Sequence, residues 1–94
     1  MPKRFVSVGT AETDVVQFPE GKLPVITGIV LTNPGSSASV VTFKEDGNGI
    51  MDVAVGAGET KYLENLNMDM SPGSKLTAVA SAGTVSVTVI YQLK

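Results

Sequence analysis

Apolar and polar residues alternate with a period of two along most of this chain. The alternation is clearest near the C-terminal end, where every second residue from Val85 to Leu93 is Val, Tyr or Leu. Successive side chains of a strand point to opposite faces, so this pattern predicts a strand with one apolar face. No stretch of eleven residues keeps a helical apolar stripe free of glycine, so the chain is predicted to be all-β.

Turn-forming residues divide the chain into short segments. Glycine and proline recur at intervals of about eight to twelve residues, a spacing typical of a sandwich or barrel of short strands. Strands are expected over 4–9, 14–18, 24–33, 37–45, 50–55, 60–66, 75–80 and 84–93. The predicted fold is therefore one domain over 1–94, an antiparallel β-sandwich or jelly-roll-like fold of about eight short strands.

Two of the turns predict hairpins. The turn at 46–49 reads Asp-Gly-Asn-Gly, which accepts left-handed backbone and should join the strands that flank it. The glycine in the turn 81–83 should likewise join the last two strands as a hairpin. The segment 24–33 has apolar residues at both parities, which indicates a central strand covered on both sides.

Composition then restricts the chemistry. Histidine and cysteine are absent, which excludes a Ser-His-Asp triad, a thiol nucleophile, a zinc finger and a disulfide scaffold. We therefore assign no catalytic, cofactor-binding or metal-binding residue, and the chain is predicted not to be an enzyme.

Two polar segments resemble fragments of calcium loops. The turn 46–49 is better explained as a hairpin tip, because a calcium site needs six to eight oxygen ligands. Asn65, Asn67 and Asp69 have the spacing of the first ligands of an EF-hand, but Met70 stands where that loop requires glycine. The second segment is therefore interpreted as a polar loop edge.

Other acidic and glycine-rich features also have simpler explanations. Glu45 with Asp46, or Glu59 with Glu64, could be a catalytic carboxylate pair, but the chain has too few aromatic residues to line a sugar cleft. The segment 56–60 lacks the lysine and the following helix of a phosphate loop, and it is predicted to be a β-turn.

Charge and hydropathy indicate association with other protein chains. The net charge is −2 and the pI about 4.9, which argues against nucleic acid as the main partner. Charged residues make up 17% of the chain and its mean hydropathy is positive, so more apolar surface is expected than one thin core can hide. A homo-oligomer is expected. The sequence has no membrane-spanning run and no signal peptide, so we expect a protein made in a cytoplasm and no membrane partner.

Two segments are candidates for contacts between chains. Lys3 and Arg4 precede Phe5, and residues 1–4 are expected to form a short basic arm that reaches an acidic neighbour. The alternative is a solvated N-terminus leading into a first strand. Met68 and Met70 lie in a predicted loop, where flexible side chains could fill gaps between partners. The alternative is that these methionines plug the open end of their own sandwich.

A resemblance to a known family covers about residues 24–93. Its first half comprises the strand 25–33, the turn residues 36–38 and the strand and hairpin at 41–49. Its second half comprises 53–60, 71–73, 76–78 and the long alternating strand 83–91. This pattern resembles the small β-sandwich virion proteins of tailed bacteriophages.

The resemblance implies a structural function. Chains of this kind decorate or cement the capsid, or are accessory parts of tails, and the cement proteins commonly form trimers on the head. The expected function is therefore a non-enzymatic capsid decoration protein on the virion surface, made in the host cytoplasm, with the major capsid protein and itself as partners. Two alternatives remain, a carbohydrate- or host-binding accessory module of a tail and a non-viral bacterial assembly module. A cluster of exposed aromatic residues would favour the carbohydrate-binding module.

Overall fold

The computed structural model describes residues 2–94, and over these residues it contains only antiparallel strands. The nine strands are β1 (Lys3–Val8), β2 (Thr13–Gln17), β3 (Pro24–Thr32), β4 (Ser39–Glu45), β5 (Asn48–Val55), β6 (Thr60–Leu63), β7 (Met68–Asp69), β8 (Lys75–Ala80) and β9 (Val85–Leu93). Within the described part of the chain, no helix is long and apolar enough to cross a membrane.

The strands form two sheets that pack face to face. One sheet has the order β1-β9-β3-β6, with the short β7 also paired to β3, and the other has the order β2-β8-β4-β5. Apart from β7, the strand pairs are nested along the chain. The innermost pair is β4 with β5, and the pairs β3 with β6, β2 with β8 and β1 with β9 enclose it in turn. This is the pairing of a jelly roll, in which two four-stranded sheets are wound from one folded ribbon. The predicted fold class is confirmed.

The hairpin predicted at 46–49 is present between β4 and β5. Asp46 and Gly47 have φ values of 50° and 86°, and Glu45 pairs with Asn48 on either side of them. Two consecutive left-handed residues match a two-residue type I′ loop, whose twist suits a hairpin. β5 therefore begins at Asn48, two residues earlier than predicted.

The hairpin predicted at 81–83 does not form, because the two strands around it lie in different sheets. β8 pairs with β2 and β4, whereas β9 pairs with β1 and β3. Gly83 does adopt left-handed backbone, with φ 64°, but here it turns the chain from one sheet to the other. A glycine turn between two alternating strands is compatible with either connection, so the local sequence did not distinguish them.

The core lies between the sheets and uses the alternation predicted from the sequence. Val85, Val87 and Val89 of β9 are fully buried. Phe18 packs against Tyr91 with its ring edge-on, at a centroid distance of 5.3 Å. This geometry is the favoured one for aromatic pairs.

A bulge in β3 explains why that strand looked apolar on both faces. The register with β9 shifts between Ile26 and Gly28, so the residues on either side of the bulge change parity. Ile26, Ile29 and Leu31 consequently all belong to the core between the sheets. β3 lies between β9 and β6, as expected of a central strand, but the apolar residues of both parities reflect this bulge and not a second covering layer.

Candidate interaction face

The outward side of the β1-β9-β3-β6 sheet is built from three rows of residues that are paired across the strands. The first row is Phe5, Thr88, Val30 and Tyr62, the second is Ser7, Ser86, Thr32 and Thr60, and the third is Lys3, Ile90 and Gly28. We term the surface formed by these residues the aromatic face.

The first row carries two exposed aromatic rings. Phe5 is 68% exposed and Tyr62 is 65% exposed. Phe5 points outward because its neighbour Val6 packs on the core, and successive strand residues alternate between faces. The rings lie on β1 and β6, three strand spacings apart, which is about 14 Å. Val30, half-buried, lies between them.

The second row is neutral and carries only hydroxyl side chains. Thr32 and Thr60 share a hydrogen bond of 3.1 Å between their Oγ1 atoms. Ser7 and Ser86 continue the row toward β1. The centre of the aromatic face therefore has no charged side chain in either of these rows.

A shallow pocket of about 490 Å³ opens on the aromatic face beside Tyr62. Its floor includes Gly28, where a Cβ atom would approach Ile90 Cδ1 to 3.6 Å. Glu64 and Asn65 stand at its rim, and Asn65 holds a left-handed backbone with φ 58°. Among residues 2–94, the side chains of Glu64 and Asn65 have no hydrogen-bond partner. The pocket thus combines an aromatic ring, an apolar wall and two polar groups that face solvent.

The outward side of the other sheet has the opposite character. Lys44 pairs with Glu12 and Lys75 pairs with Asp14, each with 3.4 Å between nitrogen and oxygen. Asp52 also lies on this side, where it accepts a hydrogen bond of 2.8 Å from a threonine hydroxyl. Charged groups therefore concentrate on one sheet, and the aromatic face of the other sheet is left largely uncharged.

Residues 3 and 4 of the predicted N-terminal arm lie in a strand of their own chain, as in the alternative of an N-terminus that leads into a first strand. Lys3 and Arg4 are part of β1 and pair with Ile90 and Val89 of β9. Arg4 points toward the other sheet, where its Nε donates a hydrogen bond of 3.5 Å to a backbone carbonyl of β2. β1 pairs along β9 and so forms the outermost strand on that side of the sheet. Met1 lies outside the described residues.

The two methionines pack on the core of their own chain. Met70 is 4% exposed and belongs to the core, and Met68, half-buried in β7, packs against it. The backbone N–H of Met70 donates a hydrogen bond of 2.8 Å to the carbonyl of Pro24. This arrangement favours the alternative in which both residues close the end of the sandwich. Their role between chains stays a prediction, and of the candidates only Lys3 and Phe5 lie on the aromatic face.

Three of the acidic residues considered for catalytic or calcium sites accept hydrogen bonds from backbone N–H groups in turns and loops. Glu45 accepts a hydrogen bond of 2.7 Å from the N–H of residue 71, and Asp46 accepts one of 3.0 Å from Lys75. Glu59 accepts one of 2.6 Å from Gly56, within the predicted β-turn. Across residues 2–94, no three acidic side chains are grouped so that they could hold a metal ion.

No protein-family model and no curated protein matches this chain.

Proposed function

We propose that this chain is a non-enzymatic structural protein of a tailed-bacteriophage virion, a capsid decoration or cement protein that binds and stabilises the head. The observation that carries the proposal is the aromatic face, on which Phe5 and Tyr62 are about two-thirds exposed on a largely uncharged sheet. Aromatic residues are enriched in the cores of protein interfaces, and here two of them are exposed in one cross-strand row.

The proposed partners are other copies of the chain, in a closed homo-oligomer, and the major capsid protein. The domain measures 42 × 24 × 17 Å, so its broad face has the dimensions needed for subunit contact. An ellipse of the two longer dimensions covers about 800 Å², which is one partner's share of a standard interface. The protein would be made in the host cytoplasm and would act on the capsid surface.

The jelly-roll fold is compatible with this function. Jelly rolls are found in viral capsid domains and also in lectins. A fold by itself does not decide between such functions, which depend on the residues of the site. The resemblance to phage virion proteins favours the capsid function, and the two exposed rings stand about 14 Å apart on different strands rather than in the cluster expected of a carbohydrate site.

The proposal is tested by the composition and the heat resistance of phage particles. Particles grown without the gene should lack this chain and release their DNA at a lower temperature than complete particles. Adding back the purified protein should restore resistance, and Phe5→Ser with Tyr62→Ser should weaken particle binding by about tenfold or more. Val40→Ser is the matched control, since Val40 is 40% exposed on the opposite sheet. Absence of the chain from purified complete particles would contradict the proposal.

Glycan binding is the second candidate, because Tyr62 lies beside the pocket that Glu64 and Asn65 rim. Aromatic rings with adjacent carboxylate and amide groups can stack on a sugar and hydrogen-bond to it. In that case Tyr62→Ala should abolish binding to immobilised oligosaccharides, and Phe5→Ser should leave it unchanged. A bacterial assembly module would use the same face, but would not be found in phage particles.

A further inference from the structure

We propose that the aromatic face pairs with the aromatic face of a second copy, about a two-fold axis that runs parallel to its strands. The inference deepens the proposed function and rests on it in one respect: of the two proposed partners, the one that covers the aromatic face is a second copy of the chain, and this pair is the unit that binds the particle. It differs from the trimer that the family resemblance implies, because a pair of this kind closes with two copies.

The order of the strands fixes which residues would meet. An axis between β9 and β3 exchanges the positions of these two strands, and also those of β1 and β6. Because the axis is parallel to the strands, each cross-strand row of one copy lies over the same row of the other. Two twisted sheets can pack in this aligned manner with their strands inclined by about 30°.

In the first row, Phe5 of one copy then faces Tyr62 of the other copy, and this contact occurs twice. Both rings are exposed, and the pocket of about 490 Å³ beside Tyr62 provides space for the ring of Phe5. Aromatic pairs of this type add to the stabilisation from buried apolar area.

In the third row, Lys3 of one copy faces Glu64 of the other. Glu64 directly follows Leu63, the last residue of β6, and it lines the same pocket as Gly28, which lies in the row of Lys3. Within the described residues, neither Lys3 nor Glu64 has an ion-pair partner in its own chain. The two opposite charges stand at opposite edges of the face, and a two-fold axis brings each one to the other.

The remaining contacts agree with the same axis. The hydroxyl residues of the second row meet hydroxyl residues, and Thr88 meets Val30 near the axis. The Phe5–Tyr62 contacts thus lie in the middle one of the three rows and the Lys3–Glu64 pairs in an outer row, so the charges stand nearer the rim, as in other protein interfaces. A three-fold arrangement would need two separate complementary patches, whereas here both halves of the contact lie on one face.

The experiment measures the mass of the purified chain by sedimentation, from about 1 to about 100 µM. The expected mass is twice that of the 9.7 kDa chain. Lys3→Glu and Glu64→Lys should each weaken pairing by about tenfold, since each sets like charges against each other twice. The double variant K3E/E64K should restore pairing. Phe5→Ser should weaken pairing by about a hundredfold, and the control Val40→Ser should leave it unchanged.

Circular dichroism at low concentration verifies that each variant folds, which is expected because Lys3, Phe5 and Glu64 are exposed. A monomer at all concentrations, a trimer, or a double variant that fails to recover pairing would overturn the two-fold contact. A monomer that still binds particles through Phe5 would overturn the pairing and leave the proposed function in place. A stable pair that is absent from purified particles would overturn the proposed function and leave the pairing in place.

Discussion

Replacing Phe43 with alanine is expected to lower the free energy of unfolding by about 3–5 kcal/mol, the range measured when a buried phenylalanine is truncated. Phe43 lies on β4, an inner strand of its sheet, and its exposure is 0%. It pairs with Ala78 on one side and Met51 on the other. Alanine at 78 is too small to fill the space that the ring would leave, so a cavity should remain.

The measurement is urea unfolding followed by circular dichroism. A loss of about 3–5 kcal/mol is a large part of the 5–15 kcal/mol expected for a small domain, so the variant should be largely unfolded in moderate urea. Val40→Ala is the matched control on the same strand, because Val40 is 40% exposed and its truncation should change little. An unfolding midpoint for Phe43→Ala equal to that of the parent would show that the ring does not stabilise the core.

Replacing Asn33 with alanine is expected to lower the free energy of unfolding by about 2–4 kcal/mol, because buried hydrogen-bonding groups would lose their partner. Asn33 is 2% exposed. Its Nδ2 donates to the carbonyls of Ser37 and Val55, at 2.8 and 3.2 Å, and its Oδ1 accepts from Gly35 at 3.0 Å. These bonds hold the loop that carries the chain from β3 in one sheet to β4 in the other.

Two further variants make this measurement specific. Asn33→Asp keeps the acceptor for the N–H of Gly35 but removes both donated hydrogen bonds. Its carboxylate would also lie against two carbonyl oxygens, so this variant should be less stable than the parent at neutral pH. Asn67→Ala is the control, because Asn67 is exposed and should change stability by less than about 0.5 kcal/mol. If Asn33→Ala matched the parent in urea unfolding, the loop would not depend on this side chain.

Features set by local periodicity could be predicted from the sequence. The alternation in β9 predicted its buried valines. The Asp-Gly pair at 46–47 predicted the hairpin between β4 and β5, whose two turn residues have left-handed backbone. The burial of Phe43 likewise agrees with simple alternation, since it shares a face with Val41 in the strand expected over 37–45. Each of these features depends on residues close together in the chain, so an alternation of period two or a four-residue turn was enough to predict it.

Features set by contacts between distant segments could not be predicted in this way. The aromatic face requires β1, β9, β3 and β6 to lie side by side, and only that order brings Phe5 and Tyr62 onto one surface. Tyr62 lies in a segment that was expected to be a strand, but its neighbours in the sequence do not show which side of that strand faces solvent. Asn33 precedes Pro34 and Gly35, which indicates a turn, whereas its bond to Val55 depends on the packing of β5.

Electron cryo-microscopy of purified phage particles that contain this chain tests the central claim most directly, namely that the aromatic face is buried in a contact between virion subunits. The predicted result is density for the jelly roll on the capsid, with Phe5 and Tyr62 covered by a neighbouring subunit and the charged side of the β2-β8-β4-β5 sheet turned toward solvent. A particle in which Phe5 and Tyr62 face solvent, while the charged sheet makes the contact, would contradict the account.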